Sequence, residues 1–217
     1  MSTMVIPREA RRITYSTKIR EMKNIPLSNL QKAVVAGSIL GDGCLCENWS
    51  KTNYRLKMSH SVKQREYILW KYGMLKNFVL SEPKANQPTK SVSFRTISHP
   101  EFTELRSTFY RGKQKIIPRN IEELLKDPIA IAIWFMDDGN IVKRNGKTIG
   151  FHLNTQSFTK TENEYLKKMF LEKYEICVNI ENNKRKYRLA IWRQLSRARF
   201  VSLIERYTIP SMQYKLS

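Results

Sequence analysis

The chain has 217 residues, 41% of them apolar, enough for one large domain or two small ones with a real core. It carries 39 Lys and Arg against 19 Asp and Glu, a formal net charge of +20, so the leading partner is a polyanion such as nucleic acid. No apolar run reaches the roughly 18 residues of a membrane-spanning helix, and three cysteines (Cys44, Cys46 and Cys177) exclude a disulfide framework and fit a reducing compartment, the thiols being read as buried.

In chain order, residues 1–26 form a basic extension with Arg8, Arg11, Arg12, Lys18, Arg20 and Lys23. It lacks the hydrophobic segment of a secretory signal, so the protein is read as not secreted; the extension has the composition of a transit peptide or of a basic arm that touches phosphates, and the arm is preferred. The first strong helix starts at Ser28, with Gln31 completing a capping box, and runs through Lys32–Leu40 to Gly41-Asp42-Gly43. Tyr54–Ser59 alternates as a strand, Ser61 opens a further helix with Gln64 three residues on, and Val92–Thr96 is another strand. On the helix between them Tyr67, Trp70 and Tyr72 have core spacing. His60 and His99 have no partner cluster in the sequence and are read as structural. The segment Ile117–Lys126 is read as a linker.

The pattern then starts again. Asp127-Pro128 caps a second apolar helix, Ile129–Met136, which ends at Asp137-Asp138-Gly139. Asn145-Gly146 is a tight-turn pair, Phe151–Gln156 alternates, and Thr159 with Glu162 opens a helix. Val178–Ile180 and Arg188–Ile191 pair across a turn at Asn182, Asn183, Lys184 and Arg185. An Ile-Pro step closes each half, at Ile117-Pro118 and Ile209-Pro210. Two copies of helix, hairpin, helix, hairpin, helix follow, over residues 27–121 and 122–217. A helix apolar all round is buried on all sides, so the two such helices are expected to pack together, each glycine after them taking a left-handed turn. That brings Asp42 and Asp138 close to a pseudo-twofold axis.

A carboxylate at a helix C-terminus faces the negative end of the dipole, at about 0.3–1 kcal/mol, and two such groups close together repel. One such aspartate is an ordinary turn residue; two at equivalent positions call for a divalent cation with hard oxygen ligands. Paired carboxylates and metal in a strongly basic chain suggest phosphodiester hydrolysis. No phosphate-cradling glycine loop is present, and Cys44-x-Cys46 is a poor zinc set.

At these residues a resemblance becomes specific. Val35–Gly43 and Ile131–Gly139 resemble two degenerate LAGLIDADG motifs. Trp134–Gly139, Leu153–Phe158 and Ile209–Lys215 are similar to the single-chain homing endonucleases of the yeast mitochondrial omega-intron subgroup. The resemblance implies an α+β fold, a tandem repeat of αββαββα units with two saddle-shaped antiparallel sheets and the two motif helices packed at the centre. It implies Mg²⁺, with Mn²⁺ as a substitute, bound by Asp42 and Asp138 with help from the carbonyls of Gly41 and Asp137. Asp137 is a second candidate for the carboxylate ligand; Asp138 is preferred because it stands, like Asp42, immediately before glycine. It further implies lysines at Lys115 and Lys215 that support catalysis, and cleavage of both strands with 3′ overhangs.

Strand alternation assigns the outward faces. Arg55, Lys57, Ser59, Ser93, Arg95, His152, Asn154 and Gln156 are expected to read base edges. Lys143, Arg144, Lys184, Arg185, Lys186 and Arg193 lie beyond and are expected on phosphates. The expected partner is double-stranded DNA, bound by a monomer with no membrane involved, with the intronless host gene as target. Abundant Lys, Ile and Asn suggest an AT-rich genome such as an organelle's, and an intron-encoded protein. A maturase that binds its own intron RNA is the main alternative, and a non-cutting DNA-binding regulator a third.

Overall fold

The computed structural model describes residues 16–183 and 186–217. The expected contacts of Arg8, Arg11, Arg12, Lys184 and Arg185 lie outside the described residues.

Helix α1 (Thr17–Asn24) starts where the Ser16 hydroxyl accepts from the Ile19 amide, and it buries Ile19 and Met22. The end of the basic extension is therefore docked on the body of the protein. Helix α2 (Asn29–Leu40) has the full capping box, Ser28 with Gln31, and buries every residue from Ala33 to Leu40. Strands β1 (Cys44–Glu47) and β2 (Tyr54–Ser61) follow as a hairpin. Helix α3 (Arg65–Leu75), strands β3 (Lys84–Asn86) and β4 (Ser91–Arg95), and helix α4 (Pro100–Phe109) complete the first unit.

One correction applies at the start of α3. Ser61 accepts from the Lys63 amide and opens a 3-10 turn, Val62–Gln64, rather than a capping box. Gln64 instead reaches across to Tyr214, 3.4 Å away. His99 caps α4 through Nδ1, which accepts from the Glu101 amide.

A small hairpin, β5 (Tyr110–Arg111) with β6 (Gln114–Lys115), and a short helix α5 (Ile121–Leu124) connect the units. Helix α6 (Pro128–Asp138) begins at Asp127, whose carboxylate accepts from the Ile129 amide at 3.1 Å. Strands β7 (Gly139–Arg144) and β8 (Lys147–Leu153), helix α7 (Lys160–Tyr174), strands β9 (Asn179–Asn183) and β10 (Lys186–Ile191), and helix α8 (Gln194–Ile204) repeat the first unit. Asn145 and Gly146 both take positive φ, at 51° and 74°, in the tight turn between β7 and β8.

The repeat is plain in the sheets. Their strand orders are β1-β2-β4-β3 and β7-β8-β10-β9, antiparallel throughout. Helices α2 and α6 pack against each other between the two sheets. They approach so closely at Gly37 that any Cβ there would collide with the Ala130 carbonyl. Neither Gly43 nor Gly139 is left-handed, contrary to expectation; Gly139 has φ −85°. Glycine is needed there for space: a Cβ on Gly139 would strike the Phe135 ring, and one on Gly43 would come 2.7 Å from the Ser38 carbonyl oxygen.

Candidate active site

The two central helices end side by side. The Asp42 amide donates to Asp137 Oδ2 at 3.1 Å, from one unit into the other. Lys115, brought in by β6, donates to the Gly41 carbonyl at 2.7 Å. Lys215, at the end of the 3-10 segment Pro210–Lys215, donates to the carbonyls of Met136 at 2.5 Å and Asp137 at 3.1 Å. Each lysine thus places an ammonium at the negative C-terminal end of the central helix in its own unit. Gly41 and Asp137, the carbonyls expected near a metal, are the ones so engaged. The sequence-predicted Asp42, Asp138, Lys115 and Lys215 are brought together in one place.

Three further residues belong to the site: Lys71, which the sequence did not single out, and Tyr67 and His60, which were read from the sequence as packing and structural. Lys71, fully buried on α3, contacts Asp137 Oδ1 at 2.6 Å and Oδ2 at 2.9 Å. Tyr67, one turn earlier, donates to Asp137 Oδ1 at 2.8 Å. His60, at the end of β2, lies with Nδ1 3.5 Å from Asp42 and Nε2 3.3 Å from Lys71. His60 is therefore not isolated, and Tyr67 does more than pack. Local signals existed for His60 and Lys71. His60 continues the inward face of Leu56 and Met58, and Lys71 interrupts the buried stripe of Tyr67, Ile68 and Leu75.

Burial, and then the charges of Asp42 and Asp137, push the Asp138 carboxyl up to about 7 despite Lys115 and Lys215 nearby. Burial and Asp137 raise Asp42 as well. Burial lowers Lys115 and Lys215, and burial with the adjacent Lys71 ammonium pushes His60 down to about 4. The lysines alone do not relieve the crowded carboxylates. A hard divalent cation on the Asp42 and Asp138 oxygens fits this donor set. Asp42, His60 and Asp137 form a second grouping, with one ligand atom from each lying within 4.8 Å of the others.

The outward sheet faces match the expected assignment in most places. Lys57, Ser59, Arg95, Lys143, Arg144, Lys186 and Arg193 are exposed, and Arg55 and Ser93 partly so. Three expectations need correction. His152 is buried, 5% exposed, because the Trp192 ring stands edge-on to it at 5.2 Å and also covers Gly150. Asn154 and Gln156 lie beyond β8, which stops at Leu153, since the Asn154 amide turns back to the Asp138 carbonyl. The three thiols are half-exposed rather than buried. Cys44 and Cys46 stand opposite Lys57 and Arg55 on the outward face of the first sheet. Among the described residues no helix is long and apolar enough to cross a membrane.

Comparison with known proteins gives a consistent picture. A family model described as the LAGLIDADG DNA endonuclease family matches residues 32–198. Protein RecA of Mycolicibacterium flavescens is 31% identical over 202 residues, 88% of this chain and 47% of that protein. The chain thus spans about half the length of the bacterial relatives it matches. Cytochrome b mRNA maturase bI2 of Debaryomyces hansenii is 28% identical over 207 residues, 89% of this chain and 76% of that protein. The solved structure of the homing endonuclease I-WcaI bound to its DNA recognition sequence superposes with a TM-score of 0.82 at 28% identity, covering 94% of this chain and 93% of that one.

Proposed function

This chain belongs to the LAGLIDADG DNA endonuclease family, and from that footing we propose that it is a site-specific homing endonuclease that breaks both strands of a long, asymmetric DNA target. The observation that carries this reading is the meeting of Asp42, Asp138, Lys115 and Lys215 at the paired ends of α2 and α6. Asp42 and Asp138 would hold Mg²⁺, or Mn²⁺ in its place, with the carbonyls of Gly41 and Asp137 nearby, and the metal would supply an activated water and charge stabilisation at the scissile phosphates. The ammonium groups of Lys115 and Lys215 would donate to the developing phosphate charge, one lysine for each strand.

One chain carries both halves of the site, so a monomer addresses both strands of an asymmetric duplex, leaving 3′ overhangs. Arg55, Lys57, Ser59, Ser93 and Arg95 read the first half-site from the first sheet. Asn154 and Gln156, with the phosphate contacts Lys143, Arg144, Lys186 and Arg193, serve the second. The proposed setting is an intron in an organellar genome, with the intronless allele of the host gene as substrate.

The similarity to a cytochrome b mRNA maturase supports a second reading, in which the same basic fold binds its own intron RNA. Incubating the protein with intronless target DNA and with intron RNA, in Mg²⁺ and in chelator, separates the two. The endonuclease reading expects linear DNA only with the metal. Intact DNA in Mg²⁺ and Mn²⁺ together with tight binding of the intron RNA would establish the maturase instead.

A further inference from the structure

The two adjacent aspartates at the end of α6 are not equivalent, and the difference traces to Lys71. An ionised carboxylate offers about four acceptor positions. At Asp137 all of them are taken. Lys71 contacts both oxygens, Tyr67 donates to Oδ1, and the Asp42 amide donates to Oδ2. The Asp137 side chain is wholly excluded from solvent, as is that of Lys71. The Asp138 carboxylate, by contrast, receives no hydrogen bond among the described residues and remains partly exposed. A cation arriving from solvent finds free lone pairs on Asp138 and none on Asp137.

We propose that Lys71 is a positioning residue: a tethered cation from the first unit that saturates Asp137 of the second and so reserves metal binding for Asp42 and Asp138. This rests on the proposed metal-dependent reading and names which of the two aspartates serves it. The equivalent of Asp137 in the first unit is Gly41, so the lock exists once. Neutralising Lys71 releases Asp137 into the grouping with Asp42 and His60, whose ligand atoms lie within 4.8 Å of one another. A set of two carboxylates and an imidazole nitrogen suits a transition-metal ion.

The test is a Co²⁺ titration of the full chain without DNA, followed by calorimetry and by visible absorption. Asp138→Asn is expected to weaken Co²⁺ binding by about 10-fold or more, and Asp137→Asn, whose amide oxygen still accepts from the Asp42 amide, by clearly less. Lys71→Met is expected to bind one additional Co²⁺ with a new visible band, and adding His60→Gln is expected to remove that band. Lys71→Arg, which keeps the cation, is expected to gain nothing. The proposal is overturned if Asp137→Asn weakens binding as much as Asp138→Asn, or if folded Lys71→Met gains no Co²⁺. Should Lys71→Met or Asp137→Asn fail to fold by circular dichroism, the double variant Lys71→Met/Asp137→Asn, which removes both charges of the buried pair, takes their place: Co²⁺ affinity close to wild type supports the proposal, and a loss as large as that of Asp138→Asn overturns it. A wild-type chain that binds no Co²⁺ at all counts against the metal centre itself, while a chain that binds Co²⁺ as described but cuts no DNA leaves the role of Lys71 standing.

Discussion

The amide of Asp42 donates to the carboxylate of Asp137 across the join between the two units, at 3.1 Å. The first central helix is thereby fastened to the second at the point where both run out. The aspartate that accepts the bond is locked from behind by Lys71 and Tyr67. The position of Asp42 beside the end of the second central helix is tied to this bond.

Asp42→Asn and Asp138→Asn are each expected to lower the rate of double-strand cleavage by at least about 100-fold, with target affinity in Ca²⁺ retained. Conversion of supercoiled plasmid to nicked and linear forms, with a parallel gel-shift titration, measures both. Full linearisation by either variant removes that residue from the site.

Lys115→Met and Lys215→Met each slow cleavage by about 100-fold with little change in KM. Each also removes a cation from a helix end, at about 0.3–1 kcal/mol of stability. Strand-specific end-labelling tells which strand each lysine serves. Equal slowing of both strands by both variants contradicts the assignment of one lysine to each.

Asp138 has a pH signature in chelator. Its folded carboxyl titrates near 7, above its ordinary value of 3.8. The folded state therefore binds the proton more tightly, and between these values Asp138 makes stability fall as pH rises. Asp138→Asn consequently gains stability over wild type at pH 8, and the gain shrinks as pH falls towards about 4. Urea melts across that range measure it. A gain independent of pH contradicts the upward shift.

Gly37→Ala destabilises the protein by about 1–3 kcal/mol or more, because the added methyl group strikes the Ala130 carbonyl and forces the central helices apart. The urea midpoint is the measurement. Ala130 contributes the clash through its backbone, so trimming its side chain to glycine gives little relief.

Arg55→Ala and Arg95→Ala relax base preference in one half-site by about 1–3 kcal/mol each. His152→Ala behaves differently. It loses its packing on Trp192 and lowers stability by about 0.5–1.5 kcal/mol, with base preference unchanged. Profiling a randomised target library alongside thermal melts distinguishes the two classes.

Much of this was legible in the sequence because it depends on local patterns. The two apolar helices, their caps at Ser28 and Asp127, and the Asp-Gly ends at Asp42 and Asp138 are short-range features, and their recurrence at a 96-residue offset exposes the repeat. The lock on Asp137 is not. Lys71 and Tyr67 stand 66 and 70 residues before it and come from the other unit, so only the packed structure joins them. Lys115 and Lys215 were reached through the family resemblance and not through the repeat. Lys115 precedes its Ile-Pro step while Lys215 follows its own, so their spatial equivalence is not matched by position in the repeat. His152 was misplaced because alternation gives a side chain's direction along a strand but says nothing of a ring from the next element, Trp192, lying over it.

The Lys71–Asp137 pair also constrains anyone who would recombine halves of such proteins to redirect their targets. A donor first unit without a cation at position 71 would bury the Asp137 carboxylate unpaired, a loss of about 3–5 kcal/mol. A donor second unit with a small residue at position 137 would strand the lysine instead. The two residues travel as one cassette, and libraries that exchange them together are the ones expected to yield folded chimeras.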